Sequence, residues 1–190
     1  MKIQCGFTLI ESMIALLVLV ILFSYAYPQY TLLRDKLASQ VVSREVFSLV
    51  RHGRSFAMHS GLPVTICASD DLLTCNLGWH WGNSQLVSFV DKNSDRIIDP
   101  SEKILKVTNM RAENSKLFWN NWRRKNYFRW RPNGTTDWMS GSFIYCPRED
   151  DTRYAKRMVI NSAGRIYFAP DKNSNGIPED GDGKDITCKF

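Results

Sequence analysis

Histidine is scarce in this sequence, and the residue patterns of catalytic and zinc-binding proteins are missing. Of the three histidines, His52 and His59 are seven residues apart and His80 stands alone. None of them has a cysteine or a second histidine at the spacing of a zinc site. The sequence also lacks a glycine-rich loop of the kind that cradles a phosphate group. We therefore predict that the chain is not an enzyme.

Internal repeats and long low-complexity segments are missing too, and the composition is that of a globular protein. Hydrophobic residues make up 44% and charged residues 23% of the 190 positions, which excludes wholesale disorder. This length gives room for one ordinary domain and an anchor segment. Acidic residues are outnumbered by basic residues, 19 to 25, and the net charge of +6 permits an anionic partner without requiring one.

The five cysteines are divided by an apolar run near the N-terminus. Cys5 precedes the run, and Cys67, Cys75, Cys146 and Cys188 follow it. Outside the cytoplasm, an even set of four predicts two disulfides, for which three pairings are possible. We favour Cys67 with Cys75, which closes a short loop, and Cys146 with Cys188, which would pin the C-terminal tail.

The apolar run occupies residues 7–27, and a helix of this length spans about 30 Å, enough to cross a bilayer. One interpretation is a secretory signal peptide, with Lys2 as its charged start and a small-x-small cut site at residues 24–26. Another is a plain membrane anchor. Both must accommodate the carboxylate of Glu11, which costs about 2.5–3.5 kcal/mol inside hydrocarbon. The clearly polar side chains of the run are Thr8, Glu11, Ser12, Ser24 and Tyr25.

A third interpretation accounts for the glutamate. Residues 5–11, Cys-Gly-Phe-Thr-Leu-Ile-Glu, resemble the class III signal of type IV pilins and type II secretion pseudopilins. The resemblance implies that a prepilin peptidase cuts after Gly6 and methylates the new amine of Phe7. It also implies that Glu11 pairs with the N-terminal amine of a neighbouring filament subunit. An acid in the first turn suits the helix dipole, and a buried ion pair would specify register more than it adds stability.

The helical pattern continues beyond Pro28, which we expect to kink the helix. Apolar residues recur at three- and four-residue steps from Leu33 to Ala57, with polar residues between them, as in an amphipathic helix. Gly61 and Pro63 predict its end at about Ser60. A cleaved secretory peptide gives no reason for the pattern to run on through the cut site.

After Pro63 the pattern changes to that of short strands separated by turns. A long helix followed by such strands predicts an α+β fold, in which the second half of the helix packs on a small antiparallel sheet domain. We divide the chain into a leader, 1–6, a helix, 7–60, and a sheet domain, 61–190. The helix comprises a transmembrane part, 7–27, and an amphipathic part, 28–60. The predicted strands are 64–67, 86–90, 103–107, 116–119, 127–130, 142–145, 157–160 and 165–168.

Several stretches resemble the GspH/FimT group of minor pilins and pseudopilins, and with the signal they extend the resemblance from Gly6 to about Phe168. The resemblance implies a type IV pilin-like fold and a structural subunit that helps prime and build a type IV pilus or a type II secretion pseudopilus. It implies no required cofactor. The implied partners are the prepilin peptidase, other minor and major pilins or pseudopilins, and the bacterial inner membrane. The sheet domain would lie in the periplasm before the chain enters the filament. The stretches are 54–57, 64–70 with Cys75, 81–82, 87–91, 141–146 and 159–165.

Two loops have the oxygen spacing of a calcium-binding EF-hand loop. The alternative is a turn for the first loop and a solvated tail for the second. In the first, Arg96 stands where the EF-hand has glycine; in the second, Gly176 is present and Asp185 follows. Calcium is thus a candidate ligand of both loops. The ligands would be Asp91, Asn93, Asp95, Asp99 and Glu102 in the first loop, and Asp171, Asn173, Asn175, Glu179 and Asp182 in the second.

The run from Trp119 to Arg131 mixes five cations with five aromatic residues, the combination used to bind single-stranded nucleic acids. The alternative is a loop and strand with core aromatics inside and arginines outside. The resemblance to FimT-like members, which are linked to DNA capture, places a Gly-Arg-x-Arg element at residues 164–167, where Arg165 is present and a tyrosine replaces the second arginine. A pilus-displayed DNA receptor is therefore the competing function, with Arg123, Arg124, Lys125 and Arg165 as candidate DNA contacts.

Overall fold

The structure is a computed structural model, and it describes residues 8–82, 84–110 and 115–189. One helix, α1, is followed by eight strands, and the chain divides into two compact units between Leu37 and Ala38. The bounds are α1 Leu9–Ser60, β1 Val64–Ser69, β2 Gln85–Val90, β3 Ile104–Asn109, β4 Lys116–Asn121, β5 Tyr127–Trp130, β6 Gly141–Cys146, β7 Lys156–Ile160 and β8 Ile166–Phe168.

Helix α1 begins with a side-chain cap. The backbone N–H of Glu11 donates to Oγ1 of Thr8, the residue before the helix, at 3.3 Å. Thr8 and Glu11 have the Thr-x-x-Glu spacing of a capping box. The apolar side chains that follow, as far as Tyr30, are exposed. By length and composition, α1 is the one helix of the described part that could cross a membrane, and its most apolar stretch is not buried.

The part of α1 that belongs to the second unit buries one face, whereas Leu33 and Leu37, at the start of the predicted apolar pattern, are exposed. Val46, Leu49, Val50, Gly53 and Ala57 are buried, at the three- and four-residue steps that place side chains on one face. The helix ends at Ser60 because Gly61 adopts a φ of +69°, and its N–H donates to the carbonyl of Ala57 at 3.0 Å.

The strands of the sheet domain form two antiparallel sheets. The first has the order β3-β2-β1-β5 and the second β4-β6-β7-β8. Strands β4 and β5 follow each other along the chain yet belong to different sheets. All eight strands were predicted, with bounds that move by no more than two residues, and the α+β fold is confirmed.

The main core lies between the buried stripe of α1 and residues of both sheets. Trp81, Trp119 and Trp130 are fully buried there, and the indole N–H of Trp130 donates to the carbonyl of Val50 in α1 at 3.0 Å. A smaller cluster joins the second sheet to the C-terminal tail. It consists of Phe118, Ile144, Cys146, Ala155, Ile186 and Cys188.

Candidate functional sites of the helix and the sheet domain

The predicted processing site, Gly6 and Phe7, lies outside the residues that the structure describes. Glu11 is described and is the third residue of α1, with an exposed side chain. A negative charge in this turn faces the positive end of the helix dipole. The bond from the Glu11 N–H to Thr8 was not predicted from the sequence, although the Thr-x-x-Glu spacing of a capping box carries that signal. Glu11 therefore has a structural use as well as the filament role that the resemblance implies.

Two disulfides stabilise the sheet domain. Cys67 within β1 bonds Cys75 across 8 residues, and Cys146 at the end of β6 bonds Cys188 across 42 residues. These are the two pairs favoured from the sequence. The first closes the loop after β1, and the second ties the C-terminal tail to the second sheet.

Asp91, the first residue of the first candidate calcium loop, carries a buried ion pair. Its Oδ2 accepts from Nη2 of Arg129 at 2.6 Å and from the hydroxyl of Thr65 at 2.6 Å. The Nε of Arg129 also donates to that hydroxyl, at 2.9 Å. Arg129 belongs to the cationic and aromatic run, so one pair connects two features that the sequence analysis treated separately. This ion pair links the end of β2 to β5, across the strand β1 that lies between them.

The other candidate ligands of the first loop accept or donate hydrogen bonds within the loop. The amide nitrogen of Asn93 donates to Asp95 at 2.8 Å and to Asp99 at 3.4 Å. One oxygen of Glu102 accepts the backbone N–H of Lys92 at 2.8 Å. Burial raises the pKa of Glu102, and the charges of Asp91 and Asp99 raise it further, against backbone hydrogen bonds from Lys92 and Asp99 that lower it.

Arg96 occupies the sixth position of this loop, where an EF-hand has glycine. Its φ is +70°, the left-handed conformation for which glycine is preferred, so the backbone makes the sharp turn despite the side chain. In the second loop Gly176 has a φ of +88° at the same position. The two loops therefore share this feature of their backbones.

The second candidate loop is held together by its own amides. Asp171 accepts the N–H groups of Asn175 and Gly176, at 3.2 and 2.7 Å. The side-chain amides of Asn173 and Asn175 donate to Asp185, which was outside the predicted ligand set, at 3.1 and 2.6 Å.

The two remaining predicted ligands of the second loop, Glu179 and Asp182, make different hydrogen bonds. The buried carboxylate of Glu179 accepts N–H groups of Lys172 and Asn173, at 2.8 to 3.1 Å. The backbone N–H of Asp182 donates to Oδ1 of Asp180 at 2.8 Å. Across residues 8–82, 84–110 and 115–189, no group of three or more His, Cys, Asp or Glu side chains is arranged to hold a metal ion.

The cationic and aromatic run divides between the core and an exposed tip. Trp119, Phe128 and Trp130 are fully buried, as the alternative interpretation predicted for aromatics. The turn between β4 and β5 carries Trp122, which is 72% exposed and stacks beneath the guanidinium of Arg123 at 4.9 Å. Arg124 and Lys125 follow in the same turn with exposed side chains. Within the run, this turn places an exposed tryptophan ring next to three cations.

Arg165 lines a different part of the surface. It lies in a hollow of about 390 Å³ with Arg51 and Arg54 of α1, and its guanidinium stacks 5.5 Å from the ring centre of Tyr167. Arg124 lines another hollow, of about 280 Å³, with Trp79. The predicted DNA contacts therefore fall in two separate places.

The comparisons with known proteins agree with these features of the helix and the sheets. The prokaryotic N-terminal methylation motif matches residues 1–27, and the family described as type II transport protein GspH matches residues 42–164. No curated protein matches the chain.

Two solved structures share the fold, both of the type IV minor pilin FimU from Pseudomonas aeruginosa strain PAO1. One, in space group P21, is 22% identical, with a TM-score of 0.53, and the match covers 69% of this chain and 87% of that one. The other, in space group P65, is 20% identical, with a TM-score of 0.52 and coverages of 69% and 92%.

Proposed function

The chain belongs to the family of the type II transport protein GspH, and from this premise we propose that it is a structural filament subunit. It would act as a minor pilin or pseudopilin that helps to prime and build a type IV pilus or a type II secretion pseudopilus. The observation that carries this proposal is the conjunction of an N-terminal methylation motif with an exposed apolar helix and a GspH-type sheet domain on one chain.

The apolar part of α1 suits a subunit that is first anchored in the membrane and later packed into a filament. Its side chains are exposed over a length that suits a bilayer core, and the N-terminal apolar segment with the methylation motif fits single-pass anchoring in the inner membrane. The sheet domain would then lie in the periplasm, where its two disulfides are chemically stable. On assembly, the same apolar surface would pack against the helices of other pilins or pseudopilins.

Processing is the step that creates the partner of Glu11. A prepilin peptidase would cut after Gly6 and methylate Phe7, which leaves a cationic amine at the start of the mature chain. The carboxylate of Glu11 in one subunit would pair with that amine in a neighbour. In a hydrophobic filament core such a pair fixes register, because a mispaired charge there would be left uncompensated.

Mass spectrometry of the chain purified from membranes tests this proposal. The expected result is a mature chain that begins at methylated Phe7. A chain that begins near Tyr27 would instead identify a secretory signal peptide and would overturn the filament role.

A second function, binding of single-stranded DNA, is favoured by one observation, the exposed turn that places Trp122 beside Arg123, Arg124 and Lys125. The ring could stack on a base while the cations meet phosphates. Arg165, with Arg51 and Arg54 beside it, offers a separate cationic surface.

A gel-shift titration of the full chain in detergent, over a range of salt concentrations, tests DNA binding. Alanine at Arg123, Arg124 and Lys125 should weaken binding and flatten its salt dependence, because fewer phosphates are neutralised. Arg165→Ala tests the second surface separately. Alanine at three exposed lysines of the C-terminal tail, Lys172, Lys184 and Lys189, removes the same charge and should change binding little. Absence of salt-sensitive binding by the wild-type chain would exclude this function.

A further inference from the structure

Two carboxylate oxygens are buried without a hydrogen-bond partner in the loop between β2 and β3. One is Oδ1 of Asp91, whose side chain is 0% exposed, and the other is Oε2 of Glu102. A buried polar atom without a partner costs about 1–3 kcal/mol, and more when it is charged. Two such oxygens at the two ends of one loop therefore require an explanation.

The two carboxylates lie near each other. The other oxygen of Glu102 accepts the N–H of Lys92, which is the residue next to Asp91 along the chain. Arg129 and Thr65 both donate to Oδ2 of Asp91. Its Oδ1 is left without a hydrogen-bond partner.

The loop offers several carboxylates to a divalent cation. Asp91, Asp95, Asp99 and Glu102 carry four negative charges, and Lys92, Arg96 and Arg129 offset three of them. Calcium prefers oxygen ligands and takes six to eight, including carboxylates, amide oxygens and waters. Asp91 and Glu102 hold the first and twelfth positions of the EF-hand spacing, and Arg96 supplies the left-handed turn at the sixth.

We propose that this loop binds one calcium ion, with Asp91 Oδ1 and Glu102 Oε2 as its buried ligands and with Asn93, Asp95 and Asp99 as the source of further oxygens. The described residues hold no group of three or more His, Cys, Asp or Glu side chains already arranged for a metal, so the exposed side chains of the loop would have to turn toward the ion. The amide nitrogen of Asn93 bridges Asp95 and Asp99, and its rotation would present an oxygen to the ion. This inference is independent of the proposed filament role.

The second loop is the natural control, because its carboxylates are already satisfied. Asp171 and Glu179 each accept two or more backbone N–H groups, and Asp185 accepts two side-chain amides. Among the described residues, no buried oxygen of that loop is without a partner. The sequence pattern alone therefore does not separate the two loops, whereas hydrogen bonding does.

Thermal unfolding of the full chain in detergent at pH 7.5 tests the proposal. The chain is measured in a calcium chelator, in 10 mM calcium and in 10 mM magnesium. For an affinity typical of extracellular calcium modules, calcium should raise the unfolding midpoint by roughly 3–10 °C. Glu102→Gln should abolish this rise, and Asp171→Asn in the second loop should retain it.

Glu102→Gln has a second expected effect that a merely structural side chain would not show. In the chelator, its midpoint should equal or exceed that of the wild type, because the change removes a charge from a pair of unpartnered oxygens. No rise of the wild-type midpoint in calcium would overturn the proposal. An equal rise in magnesium, or a rise retained by Glu102→Gln, would also overturn it.

Discussion

The guanidinium of Arg129 and the carboxylate of Asp91 lie 2.6 Å apart, with side chains 8% and 0% exposed. Replacing only one member of such a pair leaves an uncompensated charge in the core. We predict that Arg129→Met lowers the free energy of unfolding by about 3–5 kcal/mol. Denaturant unfolding of the full chain in detergent, with a calcium chelator present, measures this change.

Arg131 provides the matched control two residues away on the same segment. Its Nη2 lies 2.7 Å from Asp137, but the two side chains are 40% and 31% exposed. A pair as exposed as this contributes about 0–1 kcal/mol, so Arg131→Met should have a small effect. Similar losses for the two variants would show that burial of the Arg129 pair is not what makes it costly to break.

Asp71, in the loop closed by Cys67 and Cys75, predicts a pH dependence. The backbone N–H groups of Leu73 and Thr74 hydrogen-bond its carboxylate and lower its pKa well below the ordinary value of 3.8. A lowered pKa means that this stabilisation is complete above about pH 3.8 and is lost as the pH falls through the folded-state pKa. Between pH 5 and pH 2, the wild type should lose more stability than Asp71→Asn. A carbon-13 NMR titration in which Asp71 ionises at its ordinary value would contradict this.

The two disulfides differ in the length of chain that each closes. In the chain-entropy model, closing 42 residues contributes about 4 kcal/mol, and closing 8 residues contributes about 2.5 kcal/mol. Serine at Cys146 and Cys188 should therefore lower the unfolding midpoint more than serine at Cys67 and Cys75. Thermal unfolding of the two double variants makes the comparison, and the reverse order would show that local packing outweighs chain closure.

The elements themselves were largely predictable because their signals are local. Gly61 and Pro63 mark the end of α1, and alternation with turn residues marks the strands. The assignment of strands to two sheets was not predictable, since it depends on pairing between distant segments. Strands β4 and β5 illustrate this, because they are neighbours along the chain but pair with β6 and β1.

The candidate sites were predictable in composition but not in arrangement. The spacing from Asp91 to Glu102 indicated calcium ligands, whereas the partner of Asp91, Arg129, is 38 residues away in the cationic and aromatic run. The run from Trp119 to Arg131 likewise gave no sign of which rings enter the core. Both outcomes depend on how β5 pairs with β1, and no local sequence pattern encodes that register.

For the molecule as a whole, the division between Leu37 and Ala38 separates a unit with its own core from an apolar helical segment whose side chains are exposed. The sheet-bearing unit has its own core and two disulfides, whereas the apolar part of α1 exposes the side chains that an anchor or a filament core would bury. The filament proposal accordingly places assembly in the helix. Variants of Glu11 should leave the sheet domain folded.

Glu11 has two explanations that one substitution separates. The bond that caps α1 runs from the backbone N–H of residue 11 to Thr8, and both variants keep it. Glu11→Gln also keeps a polar side chain that suits the capping-box pattern, while it removes the charge. Glu11→Ala removes the charge and the polar side chain. If Glu11 acts only as a cap, the glutamine variant should behave as the wild type does.

The most direct test measures how much of each chain enters filaments, relative to the amount in the membrane, for wild type, Glu11→Gln and Glu11→Ala. Circular dichroism and intact disulfides verify that the sheet domain is folded in each. If Glu11 pairs with the amine of a neighbouring subunit, both variants should lose roughly tenfold or more of their incorporation, equivalent to about 1.4 kcal/mol. Incorporation of Glu11→Gln at the wild-type level would contradict the account.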